Sequence, residues 1–329
     1  MPDLYDVAAI GNAIVDVIAP ASDQFLSANG LEKGAMMLVD TTQSAALYAK
    51  MAAGLEASGG SAANTVAGLA SFGGKGAFMG KVADDKLGEV FAHDMRAIGA
   101  RFQNAPLVGG PATAISMINV TPDGQRTMCT YLGASVEFTD SDVEAETVEA
   151  AKIVYLEGYL FDAEAARRAF AKAAALAHGA GRMIALTLSD GFVVERHRAG
   201  LMGFIESQVD LLFANESEIC ALFETRDFDK AVEALRPHVK LAAVTRGAAG
   251  SVVLSQGERI AVKAEPVEKV VDTTGAGDQY AAGFMFGLSR GRPLQQCGQL
   301  ASLAAAEVIS HYGPRPQVPL KDLAAAKGY

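Results

Sequence analysis

The stretch Val270–Phe284, VVDTTGAGDQYAAGF, sets two threonines and a Gly-Ala-Gly turn directly before a carboxylate, Asp278. Past Gly277 the apolar residues Ala281, Phe284, Met285 and Leu288 recur at the spacing of one helix face. The turn is therefore the entry to a helix, where unpaired backbone N–H groups and the helix dipole favour an anion. Glycines at 275 and 277 let the backbone approach a ligand closely. An acid beside a bound phosphate is repelled unless the two do different work. Asp278 can cap its own helix. Alternatively, the backbone N–H groups stabilise a phosphoryl group in transit while Asp278 accepts the proton of the attacking hydroxyl. Phosphoryl transfer asks little more of a protein than such positioning and electrostatic stabilisation.

A second stretch, GGSAANTVAGLASFGGKGAFMGKVADDKLG from Gly59 to Gly88, opens a helix with a glycine pair and places Asn64 on its first turns. Gly-Gly alone marks a turn, whereas an amide at Asn64 is suited to face a polyol. Two common phosphate motifs are excluded. Gly80-Lys81 is followed by Val82, with Lys75 where a Walker loop needs its first glycine, and Tyr280 takes the third glycine of a dinucleotide fingerprint. Cys129, Cys220 and Cys297 lie far apart and the five histidines are scattered, so neither type builds a metal site and the thiols read as reduced.

The elements that must hold these residues alternate between strand and helix. YDVAAIG, GAFMGKV, KIVYLEG, RMIALTL, VDLLFAN and KLAAVTR read as buried strands, with Ala-rich helical stretches such as AEAARRAFAKAAALAHG between several of them. The pattern predicts an α/β fold, a doubly wound and mostly parallel sheet with helices on both faces. Two regions break the rhythm, residues 14–58 and 101–136. They carry AIVDVIA and a hairpin, AISMINVTPDGQRTMCTYL, around Pro122-Asp123-Gly124, and are expected to form a small discontinuous β-rich lid. The body then comprises about 1–13, 59–100 and 137–329, with a second hairpin, SVVLSQGERIAVK, around Gln256-Gly257. Ligands of open parallel sheets sit at the carboxyl ends of the strands. Gly158, Ser189-Asp190, Asn215-Glu216 and Gly247 fall there.

Half of the 329 residues are hydrophobic, a fifth are charged, and the net charge is −10. Such a chain reads as globular, without a dedicated surface for nucleic acid or an anionic membrane. The apolar start, MPDLYDVAAIGNAIVDVIAP, carries three aspartates and no basic flank, so it is expected to be a strand pair rather than a signal peptide, and a cytoplasmic location follows.

GGSAANTVAGLASFGGKGAFMGKVADDKLG and DTTGAGDQYAAGF together resemble the two signatures of the ribokinase (PfkB-type) carbohydrate kinases, in order and separation, over nearly the whole chain. The resemblance implies transfer of the ATP γ-phosphoryl to a hydroxymethyl group, with Mg²⁺. Asp278 would be the general base and Gly275, Ala276 and Gly277 the anion hole. Asn215 and Glu218 in NESE match an Asn-x-x-Glu that organises Mg²⁺ and phosphates through water. Thr245, Gly247 and Gly250 in TRGAAG match a loop bordering the nucleotide. Asp272 and the loop near Gly313 resemble the monovalent-cation (K⁺) site of some members.

GNAIVD, with Asn12 and Asp16, resembles the start of the adenosine kinases. Asp16 would hold two adjacent ribose hydroxyls, with Gly59, Gly60 and Asn64 completing the grip, although a solvated strand residue would look the same. Arg126 matches a lid arginine that contacts phosphate. Tyr159 and Leu160 depart from the pattern, standing where adenosine kinases carry two phenylalanines, one of which stacks on the purine; Phe161 and Phe192 are candidate substitutes.

The reading is a nucleoside kinase, adenosine first. Another sugar kinase of the family, acting on ribose, fructose or a related ketose, is the alternative. A non-catalytic nucleotide- or sugar-binding regulator is disfavoured by the intact Asp278, GAG turn and Asn-x-x-Glu. Partners are ATP and a small-molecule acceptor, in a monomer or homodimer.

Overall fold

The computed structural model describes residues 4–255 and 257–329. Its larger sheet runs β1 (Tyr5–Ile10), β5 (Gly76–Met79), β8 (Ala151–Glu157), β9 (Met183–Thr187), β10 (Leu211–Asn215), β11 (Leu241–Thr245), β12 (Ser251–Ser255) and β13 (Glu258–Val262), in the spatial order β13-β12-β11-β10-β9-β8-β1-β5. All neighbours are parallel except the edge pairings β11–β12 and β12–β13. The second expected hairpin is this β12–β13 pair; Gln256 at its tip lies outside the described residues.

Alternation along the strands separates two cores. Ala8 and Ile10 of β1, Val154 and Leu156 of β8, and Leu212 of β10 pack with the Glu164–Gly179 and Gly191–Gln208 helices. Val7 and Ala9, Ile153 and Tyr155, and Leu211 and Phe213 face the other way, onto the Ser61–Ser71, Lys86–Ala97 and Ala276–Ser289 helices. Each large apolar side chain so buried contributes about 1.5–3 kcal/mol. Burial of both faces explains why these strands read as unbroken apolar runs. The doubly wound, mostly parallel sheet expected from the sequence is the fold observed.

A smaller sheet holds β2 (Ile14–Pro20), β3 (Met36–Leu38), β4 (Leu55–Gly59), β6 (Ala114–Val120) and β7 (Arg126–Tyr131), in the order β3-β7-β6-β2-β4. The β6–β7 turn is closed by Gly124 N–H donating to Thr121 O at 2.8 Å and Thr121 N–H to Gln125 O at 3.0 Å. Two details differ from expectation. Residues 14–58 also contain helices, Asp23–Ala28 and Thr41–Tyr48, capped by Ser22 and Asp40. Residues 101–107 do not join the smaller sheet but run along β5 and the segment after it. Phe78 N–H donates to Arg101 O at 2.8 Å, and Leu107 N–H to Val82 O at 2.8 Å. They satisfy backbone groups that a bare edge strand would leave unpaired. Among the described residues no helix is long and apolar enough to cross a membrane.

Candidate active site

Asn12 follows β1, Glu157 ends β8 and pairs with Thr187 of β9, and Asn215 ends β10 and pairs with Thr245 of β11. The polar residues thus gather at the carboxyl edge of the larger sheet. The Ala276–Ser289 helix lies against this sheet, its Phe284 ring edge-on to Phe213 at 5.6 Å and its Tyr280 hydroxyl 2.6 Å from Ser251 Oγ.

Asp278 sits in the first turn of that helix and does not cap it; the cap position is Gly275, held at φ +79°. A side chain at 275 would also strike Pro314, whose carbonyl oxygen would lie 2.6 Å from its Cβ. The bare cap contributes no side-chain hydrogen bond to the turn, while Ala276 N–H donates to Thr273 O at 3.2 Å. Ser61 Oγ donates to Asp278 Oδ1 at 2.6 Å, and Asn64 Nδ2 approaches Oδ2 at 3.4 Å. Burial pushes the Asp278 carboxyl up to about 6, against the pull of Ser61, Asn64 and the charge of Arg315. A base with that pKa is mostly ionised at neutral pH and close enough to it to accept a proton well.

The glycine pair has a steric origin. A Cβ on Gly59 would fall 2.3 Å from Asp16 Oδ2, so the missing side chain leaves room for that carboxylate. Gly60, at φ +91°, lies against Asn12 O and turns the chain into the Ser61–Ser71 helix. Asp16 itself accepts no side-chain or loop hydrogen bond among the described residues, and burial pushes its pKa up to about 6 despite Arg315 and Arg126 nearby. Asn12 donates from Nδ2 to Glu157 Oε1 at 2.8 Å, and Glu157 Oε2 accepts from Ala62 N–H at 2.9 Å. Asn12 Oδ1 is buried without a partner. Burial lifts Glu157 to about 7.

At the far end Asn215 and Glu218 form a capping box. Asn215 Oδ1 accepts from Glu218 N–H at 2.9 Å, while Glu218 accepts from Asn215 N–H at 2.9 Å and from Nδ2 at 2.7 Å. Burial, with the charge of Asp190 added, raises Glu218 to about 7. Thr245 leads into a short turn, Gly247–Ala249, flanked by two positive-φ glycines, Gly247 at +53° and Gly250 at +88°.

Arg126 of β7 forms a buried ion pair with Asp272 and also reaches Thr274 Oγ1 at 3.4 Å. Asp272 accepts in addition from Thr274 N–H at 3.0 Å, Thr274 Oγ1 at 2.7 Å and Gly313 N–H at 3.0 Å. Burial opposes its ionisation, but these partners outweigh it and hold the carboxyl below its usual range. Both Asp272 oxygens are engaged and the Arg126 guanidinium balances the charge, so a monovalent cation here would require Arg126 to withdraw. Among the described residues no group of three or more His, Cys, Asp or Glu is placed to hold a metal. Glu218 is buried with both oxygens accepting from Asn215, so it would act on a divalent ion only through water, with the nucleotide as the main holder of the ion.

Leu160 is buried in the core among the Glu164–Gly179 and Gly191–Gln208 helices and offers no face to a base. Phe161 is a core residue as well, against Phe170 and Phe204, whereas Phe192 is 70% exposed at a helix start. Tyr159 is partly exposed, and burial raises its phenol pKa, with charges of Asp190, Glu157, Asp278 and Glu218 adding to the effect.

Three residues that the sequence reading passed over belong to the site: Ser61, Glu157 and Arg315. Glu157 had a signal, being a carboxylate that ends an otherwise apolar strand. Arg315 had none beyond a lone cation between two prolines.

A doubly wound sheet with a glycine-led turn at a helix start and a buried carboxylate beside it is an arrangement suited to phosphoryl transfer. Residues 35–321 match the pfkB family of carbohydrate kinases, and the chain belongs to that family. It is similar to the crystal structure of adenosine kinase from Sinorhizobium meliloti, at 53% identity over 98% of this chain and 99% of that one, with TM-score 0.91. It is also similar to a probable sugar kinase protein from Rhizobium etli CFN 42, at 47% identity over 100% and 99%, with TM-score 0.92. Fructokinase-1 of Oryza sativa subsp. japonica is 27% identical over 86% of this chain and 92% of its own length.

Proposed function

We propose that the protein transfers the γ-phosphoryl group of ATP to the 5′-hydroxymethyl of a nucleoside, adenosine first. The observation that carries this reading is Asp16, a carboxylate with no hydrogen bond from a side chain or loop among the described residues, beside an apolar row. In register, Asp16 stands next to Ala57 and Ser116, and the adjoining row runs Leu55, Ile18, Ile118, Met128 and Met36. Leu55 and Met36 are exposed. A vicinal diol suits the carboxylate, and a flat base suits the apolar row, whereas a free hexose would leave that row wet. The likeness to the Sinorhizobium meliloti enzyme supports the same choice.

In this reading the acceptor hydroxyl gives its proton to Asp278, which Ser61 and Asn64 hold in place. The hydroxyl oxygen attacks the γ-phosphorus as the bond to the departing ADP breaks, and the N–H groups of Gly275, Ala276 and Gly277 receive the developing charge. Mg²⁺, when bound with the nucleotide, neutralises phosphate charge. Thr245, Gly247 and Gly250 border the nucleotide. Arg126 reaches the phosphates only by leaving Asp272.

The buried Leu160, which removes one aromatic partner for a base, favours the second reading, a sugar kinase. An ATP-consumption screen with adenosine, inosine, guanosine, ribose, fructose and 2-keto-3-deoxygluconate tests the choice. Adenosine is expected to give the highest kcat/KM; a free sugar outrunning every nucleoside overturns the proposal.

A further inference from the structure

Arg315 takes no part in the reaction as derived, yet it touches each side of the acceptor pocket. Its Nε donates to Asn64 Oδ1 at 3.1 Å and its Nη1 to Ser58 Oγ at 2.9 Å. Ser58 is the next-to-last residue of the smaller sheet's edge strand, before Gly59, and its N–H is held by Asp94 at 2.8 Å. The guanidinium makes no direct ion pair among the described residues, and Nη2 is buried without a partner. A partly unspent cation facing three carboxylates, Asp16, Asp94 and Asp278, calls for a function.

We propose that Arg315 is a positioning residue for phosphoryl transfer, fixing the Asn64 amide and keeping the acceptor carboxylate Asp16 and the base Asp278 ionised together. The assignment rests on the kinase reading above. Its first half is geometric. Arginine has only donors, so Asn64 must turn its oxygen to Arg315 and its NH₂ toward Asp278. An amide so fixed can only donate to the base, and that bond favours the ionised carboxylate.

Its second half is electrostatic. Asp278 is faced by Asp16 from the smaller sheet, by Glu157, Tyr155 and Tyr159 from β8 and its continuation, and by Arg315 from the loop after the Leu294–Val308 helix. Asp16 is faced by Asp278, Arg126 and Arg315. Of the two cations, Arg126 is already paired with Asp272. Among the described residues Arg315 is thus the one positive charge that acts on both Asp16 and Asp278. Burial favours protonation of each, the charge of Asp278 adds to this at Asp16, and Arg315 opposes it in both.

The experiment measures adenosine-dependent ATP turnover from about pH 5 to pH 9 for the wild type, Arg315→Gln and Arg315→Lys. The wild-type kcat should fall on the acid side with a midpoint near 6. In Arg315→Gln this limb should move up by about one to three pH units, with activity regained at alkaline pH. Arg315→Lys keeps the charge but not the fork. Its limb should stay near the wild-type position while its adenosine KM rises and its ATP KM does not. A uniform loss of rate at every pH in Arg315→Gln overturns the assignment. Should Arg315→Gln fail to fold, Arg315→Lys decides: an alkaline-shifted limb overturns the assignment, and an unshifted limb with raised adenosine KM supports it. A wild type inert toward every acceptor removes the kinase reading and the assignment together, whereas an active wild type with an unshifted Arg315→Gln limb removes the assignment alone.

Discussion

At one end of the cleft Asn215 and Glu218 bond to each other three residues apart, and the motif is complete within a single helix start. At the other end Asn64 reaches Asp278 across 214 positions, and Arg315 reaches Asn64 across 251. The first arrangement is a local capping box that would form wherever that helix forms. The second exists only when β2, β4, two helices and a late loop have packed. The end proposed to hold the nucleotide is thus insulated from changes elsewhere, while the end proposed to hold the acceptor is exposed to them. Variation in substrate among relatives with one fold is expected at the assembled end.

The largest effect that would sharpen this contrast is at Asp278. Asp278→Asn should lower kcat by about 10²–10⁴-fold with ATP affinity nearly unchanged; near-wild-type turnover in steady-state assays would show that another group takes the proton. Next is Asp16→Ala, expected to raise the acceptor KM roughly 10–100-fold, as loss of charge-assisted hydrogen bonds does. Equal changes in the ATP and acceptor KM would erase the distinction between the two ends. A smaller effect is expected from Asn215→Ala, which removes a helix cap at a cost of about 1 kcal/mol. Its melting temperature should fall and its ATP KM rise, with the acceptor KM unmoved.

The smallest effect concerns pH. Asp16, Asp278, Glu157 and Glu218 all have pKa values raised above those of the unfolded chain. Between pH 4 and 7 the folded state therefore binds more of these protons than the unfolded one, so their contribution to stability is fully present below the unfolded values and lost as pH rises through 6 to 7. The ligand-free protein should melt a few degrees higher at about pH 5 than at pH 7.5, and the gain should shrink in Asp16→Asn and Glu157→Gln. Asp272, with its lowered pKa, works in the opposite sense but below about pH 4, outside this window. A melting temperature that rises steadily over the same range would contradict the environments assigned to these four groups.

How much was legible follows the same division. The alternation of apolar strands and Ala-rich helices announced the larger sheet, because burial on both faces leaves a continuous apolar signature. Gly59, Gly60 and Gly275 announced themselves because a glycine required by a close approach or a positive φ has no substitute. Arg315 and Ser61 stayed hidden, since no local pattern records a partner more than two hundred residues away. Residues 101–107 were assigned to the wrong layer for a related reason: an irregular segment that completes an edge through backbone groups needs no side-chain pattern. The inward turn of Leu160 was not legible because a motif fixes position in the chain and not orientation; the short 3₁₀ turn Gly158–Asp162 rotates it into the core.

The loop that carries Gly313, Pro314 and Arg315 touches Asp272, Gly275 and Asn64 in turn. During synthesis the anion turn and the acceptor helix emerge well before this loop does. A chain lacking this loop would still carry the proposed base, Asp278, and the proposed diol-binding carboxylate, Asp16, yet not the cation between them, so the proposed transfer depends on a segment that contributes no reacting group.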